Sequence, residues 1–138
     1  MKRLAILLMV AALAGSAQAR SVVPLIDPPR VTLVPGADGK SPDAAQLRAA
    51  IVRGGALHQW TVQSEEPGKL TLRFVKESKH EVVVAVSYDP TGFEIHYVSS
   101  IDMKYRMQGG TAEIHPYYNK WVQTLAEDIQ RAAQSPTH

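Results

Sequence analysis

Apolar and polar residues alternate with a period of two through the middle of the chain, from residue 57 to residue 99. This alternation is typical of β-strands that bury one face. Turn-forming residues interrupt it at 65–68, 77–79 and 89–92 and divide it into four strands. Because these connections are too short for parallel crossovers, we predict an antiparallel meander.

The register of the predicted sheet follows from placing the apolar residues on one face. Pairing Tyr88 with Phe93, and Phe74 with Val82, achieves this. The resulting core face holds Trp60, Val62, Leu70, Leu72, Phe74, Val82, Val84, Val86, Ile95 and Tyr97. The opposite face is mixed and places Val75, Val83, Ala85 and Val98 beside Arg73, Glu94 and His96. An apolar patch with a polar rim is typical of an interaction surface, although β-branched residues are also common on exposed sheet faces.

Two amphipathic segments flank the strands. Ser41 is the predicted N-cap of the first helix, and Gly54 with Gly55 is its predicted stop signal, which gives about 11 helical residues. The second helix opens at Pro116 and carries an apolar stripe, with Asp128 assigned to its polar side; the stripe comprises Tyr118, Trp121, Val122, Leu125, Ile129 and Ala132. The predicted fold class is α+β, with two layers: a four- to five-stranded antiparallel meander carrying both helices on one face.

Two further segments fit more than one interpretation. Residues 20–40 are rich in proline and form an extended lead-in, in which 31–34 is either a short edge strand or part of a loose tether. Apolar and polar residues still alternate over 101–108, which predicts a fifth strand or an extended edge segment. The single α+β domain is then 41–134, followed by a frayed tail over 135–138.

The N-terminus is typical of an export signal. A positive start, MKR, precedes a short apolar run and the small residues Ala17 and Ala19 around Gln18. We predict a cleavable signal peptide over residues 1–19 and a periplasmic or secreted mature chain that begins at Arg20. The apolar run is shorter than the roughly 20 residues of a bilayer span, and no cysteine follows it to accept a lipid. We therefore expect no stable membrane anchor after cleavage.

Charge and composition narrow the classes of function. The 138 residues include 15 Lys and Arg against 13 Asp and Glu. Lys2 and Arg3 lie in the predicted signal peptide, so the mature chain is formally neutral. Since it also has no basic stripe, we expect no nucleic-acid partner. The absence of cysteine excludes disulfides, thiolate metal sites and a cysteine nucleophile.

The start of the second predicted helix is the candidate for a localised site. Free backbone N–H groups at a helix start favour an anion, and His115, Tyr118 and Asn119 are candidate binding residues there. The structural alternative is that His115 caps the helix, Tyr118 packs in the core and Asn119 bonds to residues 105–110. The five histidines show no metal-ligand spacing, so we expect neither a metal site nor a cofactor, and we assign no catalytic residue.

Three stretches of the sequence carry a resemblance to a known family. They are Pro67-Gly68 before LTLRF, the strand pair ending in FEIHYVSSIDMKY, and the segment IHPYYNKWVQTLAEDI. Over nearly the whole mature chain the sequence resembles a family of small exported bacterial proteins often labelled putative lipoproteins. The resemblance implies export and a fold, but no activity. This chain departs from the lipoprotein members because it lacks a lipid-accepting cysteine.

These patterns favour a small, non-enzymatic binding module whose ligand or envelope-protein partner is unknown. One candidate surface is the open sheet face, with Arg73, Val83, His96 and Val98, which also suits a homodimer contact. The other is the cleft between the second helix and the sheet. The alternatives are a small hydrolase or isomerase with its site at the start of the second helix, and a structural envelope component.

Overall fold

A computed structural model describes residues 21–36 and 38–134, so the predicted signal peptide and tail lie outside the described residues. The described chain has the predicted α+β fold with two helices and antiparallel strands, but these strands form two sheets rather than one. The helices are α1 (Ala44–Ala56) and α2 (Tyr117–Gln134). The strands are β1 (Val23–Pro24), β2 (Val31–Thr32), β3 (Thr61–Glu66), β4 (Lys69–Lys76), β5 (His80–Asp89), β6 (Gly92–Ile101), β7 (Arg106–Gln108) and β8 (Thr111–Ile114).

The larger sheet contains the predicted meander in the order β2-β6-β5-β4-β3. The predicted register is confirmed at both inner turns, where Tyr88 pairs with Phe93 and Phe74 pairs with Val82. One detail is wrong: a β-bulge makes Val83 pair with Ser99. Val98 is therefore an extra residue on β6 and does not lie directly opposite Val83.

The fifth strand of this sheet is β2, from the lead-in, and not residues 101–108, for which a fifth strand was one of two predicted alternatives. After Ile101 the backbone adopts left-handed φ values of 59° at Asp102 and 57° at Lys104, which end the strand. Residues 106–108 form β7 instead, in a second sheet of order β1-β8-β7. The N-terminal lead-in thus contributes a strand to each sheet.

Helix α1 begins and ends later than its local sequence predicts. Its N-cap is Asp43 rather than Ser41, because the Asp43 carboxylate accepts a hydrogen bond from the Gln46 N–H while the Gln46 side chain bonds back to the cap. The predicted stop at Gly54 and Gly55 is also wrong, since both glycines are helical and buried. A Cβ at Gly54 would lie 2.8 Å from the backbone of Ile129, so the glycine permits close contact of α1 with α2.

The core lies between the two helices and one face of the larger sheet. Most of the predicted core face is buried there, but Val62 is 40% exposed because β3 is an edge strand. The lead-in joins this core through Leu33, so residues 22–33 are part of the folded body rather than a tether. The buried cluster includes Leu47, Ile51, Trp60, Leu70, Leu72, Phe74, Val84, Phe93, Ile95, Met103, Ile114, Tyr118, Leu125 and Ile129.

Candidate functional site

A groove of about 360 Å³ opens where α2, the loop after α1 and strand β4 meet. Its volume lies within the range of small-molecule sites, roughly 300–1,000 Å³. Both tryptophans of the chain contribute to its walls. The lining residues are Leu57, His58, Gln59, Trp60, Phe74, Lys76, Trp121 and Thr124.

Aromatic rings give the groove a rigid apolar wall. The Phe74 ring lies 5.3 Å from the ring of Trp60 and 5.0 Å, edge to face, from that of Trp121. Tyr117 extends the row, with its ring 5.6 Å from Trp121. Trp60 and Phe74 are buried, whereas Trp121 is partly exposed. Ring pairs at these separations hold one another in place, so the wall is formed before a ligand arrives.

A buried carboxylate fixes the polar edge of the groove. Asp128 is only 2% exposed, and its Oδ2 lies 2.7 Å from Nδ1 of His58. Its other oxygen accepts a hydrogen bond of 2.7 Å from Arg131. Because a carboxylate can only accept, Nδ1 of His58 carries the hydrogen, and Nε2 has no partner among the described residues. His58 thus lines the groove with its ring held in one orientation by Asp128.

The predicted site residue His115 caps helix α2. Its Nδ1 accepts a hydrogen bond of 3.1 Å from the Tyr117 N–H, which would otherwise be unsatisfied at the helix start. Burial lowers the pKa of His115, and the neighbouring His80 and Lys104 lower it further. The ring is therefore neutral at pH 7 and offers no positive charge to an anion.

Tyr118 and Asn119 fasten the lead-in to α2. Tyr118 is fully buried, and its hydroxyl donates to Oδ1 of Asp27 at 2.5 Å. The Asn119 amide accepts from the Ile26 N–H and donates to the Pro24 carbonyl, both at 3.0 Å. Asn119 thus holds the lead-in and not residues 105–110, since both of its bonds are to the backbone of that segment. Tyr118 and Asn119 therefore bond to the lead-in, whereas His115 bonds to the start of α2, and the three side chains share no hydrogen-bond partner within the described residues.

Replacing Tyr118 with phenylalanine is expected to lower the free energy of unfolding by roughly 1.5–3 kcal/mol at pH 7, the usual value of a hydrogen bond to a charged group. Burial raises the pKa of the Tyr118 hydroxyl well above its ordinary value of 10.0, and the bond to Asp27 raises it further. Above about pH 10 the unfolded chain loses a proton that the folded chain keeps, so the native protein loses stability. The difference between the two proteins should then shrink.

Urea unfolding at pH 7 and at about pH 11 measures both effects. Tyr105→Phe is the matched control, because the exposed Tyr105 hydroxyl makes one weak hydrogen bond within the described residues, to the sulfur of Met107 at 3.5 Å. A Tyr118→Phe variant whose deficit stays the same at both pH values would contradict this account of the Tyr118 hydroxyl.

The open sheet face is less apolar than the sequence suggests. Arg73 pairs with Glu81 at 2.5 Å, and Nε2 of His96 lies 3.1 Å from Glu94. Val83 is only 4% exposed, whereas Val98 is 50% exposed at the bulge. The bulge therefore leaves the two valines out of direct register, and the neighbouring Arg73 and His96 already have carboxylate partners.

Sequence reasoning did not identify His58, Lys76, Asp128 or Asp27 as candidates. Asp128 was assigned to the polar side of the helix, but it lies seven residues after Trp121, at a spacing that returns to the same face of a helix. The position of Asp128 on the apolar stripe of the helix is the one local signal that its carboxylate is buried against a polar partner. The other partners come from distant segments and leave no such signal.

The described chain limits other assignments. It contains no group of three His, Asp or Glu side chains arranged to hold a metal ion. Neither described helix has the length and apolar character needed to cross a membrane. Comparisons with models of known protein families, with curated proteins and with solved structures find no match. The resemblance to small exported bacterial proteins therefore stays a prediction.

Proposed function

We propose that this protein is a small, non-enzymatic binding module that holds a small ligand in the groove between α2 and the sheet. The observation that carries this proposal is the row formed by Trp60, Phe74 and Trp121, which lines a groove of about 360 Å³ beside the fixed ring of His58. A pre-formed apolar wall with a few oriented polar groups is the usual composition of a ligand site. The proposed periplasmic or secreted location rests on the N-terminal sequence pattern.

The groove supports this function better than the open sheet face does. A concave surface removes more of a small ligand's area from water than a flat one does. On the open face, Arg73 is paired with Glu81, His96 contacts Glu94, and Val83 is itself buried. The groove instead presents the partly exposed ring of Trp121 and the imidazole of His58, of which Nδ1 is bonded to Asp128. Binding of a protein partner or a second copy to the open face is the competing outcome.

Titration with two planar probes, naphthalene-2-carboxylate and naphthalene-2-carboxamide, tests the proposal. The readout is the ¹H–¹⁵N NMR spectrum, because both indole N–H signals arise from groove residues. We expect at least one probe to cause saturable shifts of both indole signals at up to millimolar concentration. The Trp121→Phe variant assigns the two signals and keeps an aromatic ring in the wall.

Two variants separate the candidate surfaces. Trp121→Ala should weaken probe binding at least about tenfold, since it removes the accessible side of the wall. Val98→Asp, on the open sheet face, should leave probe binding unchanged. If neither probe moves the indole signals, or if the shifts concentrate around Arg73, His96 and Val98, the groove is not the binding site.

A further inference from the structure

We propose that the ligand of the groove carries a carboxylate on a planar apolar body, with Lys76 and His58 binding the carboxylate and the aromatic wall contacting the body. This inference rests on the proposed function and adds the chemical class of the ligand. It follows from the charges that line the groove, from the partners of each polar group and from the geometry of the wall.

The charges at the groove are of one sign. Among the eight lining residues of the described chain none is acidic, whereas Lys76 and His58 are basic. Asp128, the carboxylate that contacts the lining residue His58, is buried and already accepts bonds from His58 and Arg131. It therefore offers no free acceptor to a cationic ligand, and the groove complements a negative group.

Lys76 differs from the other lysines of the same hairpin in having no ion pair with any described residue. Lys69, at the opposite end of β4, pairs with Glu66 at 3.1 Å, and Lys79, in the next turn, pairs with Asp102 at 3.8 Å. The ammonium of Lys76 thus remains available at the groove. A carboxylate that binds there gains a charge-assisted hydrogen bond without displacing an existing partner.

His58 supplies the second contact. Because Asp128 accepts from Nδ1, a protonated ring donates its remaining hydrogen from Nε2, and that nitrogen has no partner among the described residues. Asp128 also fixes the orientation of the ring, because its Oδ2 lies 2.7 Å from Nδ1 of His58. Asp128 is therefore a positioning residue, and Lys76 and His58 are the binding residues.

The apolar wall determines the rest of the ligand. Phe74 stands edge to face against Trp121 and tilted against Trp60, so three aromatic rings make up this wall. A planar ring system makes the largest contact with such a wall, and its burial is favourable in proportion to the apolar area removed from water. A bicyclic aromatic acid combines this body with the required charge.

Three probes of the same shape and different charge test the inference on the full mature chain. They are naphthalene-2-carboxylate, the neutral naphthalene-2-carboxamide and the cation 2-naphthylmethylammonium, each titrated against the indole NMR signals. We expect the carboxylate to bind at least about tenfold more tightly than the carboxamide, and the cation to bind most weakly.

Charge-removing variants identify the group responsible. Lys76→Gln should weaken carboxylate binding about tenfold and leave carboxamide binding unchanged, because it keeps most of the side-chain stem. Lys69→Gln is the matched control: it makes the same change of net charge on the same strand, seven residues and roughly 23 Å away. Both lysines lie near the surface at the strand ends, and we expect both variants to fold.

The outcomes separate this inference from the proposed function. Equal affinity for the carboxylate and the carboxamide, or tighter binding of the cation, overturns the ligand class while leaving the groove as a binding site. An equal loss of carboxylate affinity in Lys76→Gln and Lys69→Gln overturns the role of Lys76. If none of the three probes moves the indole signals, the proposed function fails and the inference fails with it.

Discussion

Replacing Gly54 with alanine is expected to lower the free energy of unfolding by roughly 2 kcal/mol, the usual cost of forcing extra volume into a packed interface. A Cβ at this position would lie 2.8 Å from both Cα and N of Ile129 and 2.9 Å from the carbonyl oxygen of Asp128. These are backbone atoms of α2, so no side chain can move aside to relieve the clash. Helices α1 and α2 must separate, and the core between them loosens.

The neighbouring residue provides a control for this substitution. Gly55→Ala makes the same chemical change in the same helix, with the same gain of helix propensity and the same effect on the unfolded chain. Its Cβ would meet only side-chain atoms, of Trp60 at 3.3 Å and Leu72 at 3.5 Å. The difference between the urea midpoints of the two variants, at unchanged m-value, therefore measures the helix contact. Equal midpoints would contradict the close approach described for Gly54.

The same contact links stability to the proposed binding site. His58 follows the end of α1, and its partner Asp128 lies on α2, beside the point where Gly54 meets that helix. Moving the helices apart lengthens the 2.7 Å contact between His58 and Asp128. Gly54→Ala should therefore reduce probe binding as well as stability. Gly55→Ala remains the control for the stability measurement alone, because its Cβ would approach Trp60 of the groove wall.

The main sheet was predictable because the patterns that specify its strands and turns lie within short stretches of the sequence. Alternation of period two identifies the strands, and short turns leave only one register that puts Phe74, Val82 and Val84 on one face. The apolar stripe of α2 was predictable for the same reason, since its spacing repeats along eighteen residues. The bulge at Val98 was not predictable, because a bulge shifts pairing without changing the composition of the strand.

The two misplaced boundaries of α1 have different physical causes, one a contact with a distant segment and the other a local capping box. Gly54 and Gly55 are typical of a helix stop, yet the helix continues because α2 packs against that position. Asp43 became the cap instead of Ser41 because only Asp43 has Gln46 three residues later to complete a capping box. The packing of α2 against Gly54 leaves no signal in the local sequence. The capping box of Asp43 and Gln46 is itself a sequence motif and could have been predicted.

The groove was predictable only in part. Trp60, Phe74 and Trp121 were all assigned to the predicted core, so the side chains of the wall were identified without the opening beside them. The opening itself depends on the path of the loop after α1, whose residues Leu57, His58 and Gln59 line the groove. His58 and Asp128 are 70 residues apart in the chain, and no local pattern pairs them. The functional hypothesis therefore depends on the fold more than on any motif.

Replacing Gly92 with alanine is expected to detach strand β2 from the main sheet. A Cβ at Gly92 would lie 2.1 Å from the carbonyl oxygen of Val31 and 3.2 Å from Cα of Thr32, both backbone atoms of β2. Such an overlap cannot be relieved by rotating a side chain. The chain must move away from β6, which breaks the pairing of Val31 with Phe93 and the 2.9 Å bond from the Leu33 N–H to the Thr91 carbonyl.

Loss of β2 removes Leu33 from the core, which costs about 2–5 kcal/mol, the range for deleting a buried leucine side chain. Hydrogen exchange measures the effect directly, because the Leu33 amide should lose its protection while amides of the central strands, β4 and β5, keep theirs relative to global unfolding. Gly36→Ala is the control, since its Cβ would approach only the Asp38 side chain at 3.4 Å and the Lys40 carbonyl at 3.8 Å. A Gly92→Ala protein that still protects the Leu33 amide would show that β6 tolerates a side chain at this position. The lead-in would then be held mainly by its contacts with α2, through Tyr118 and Asn119.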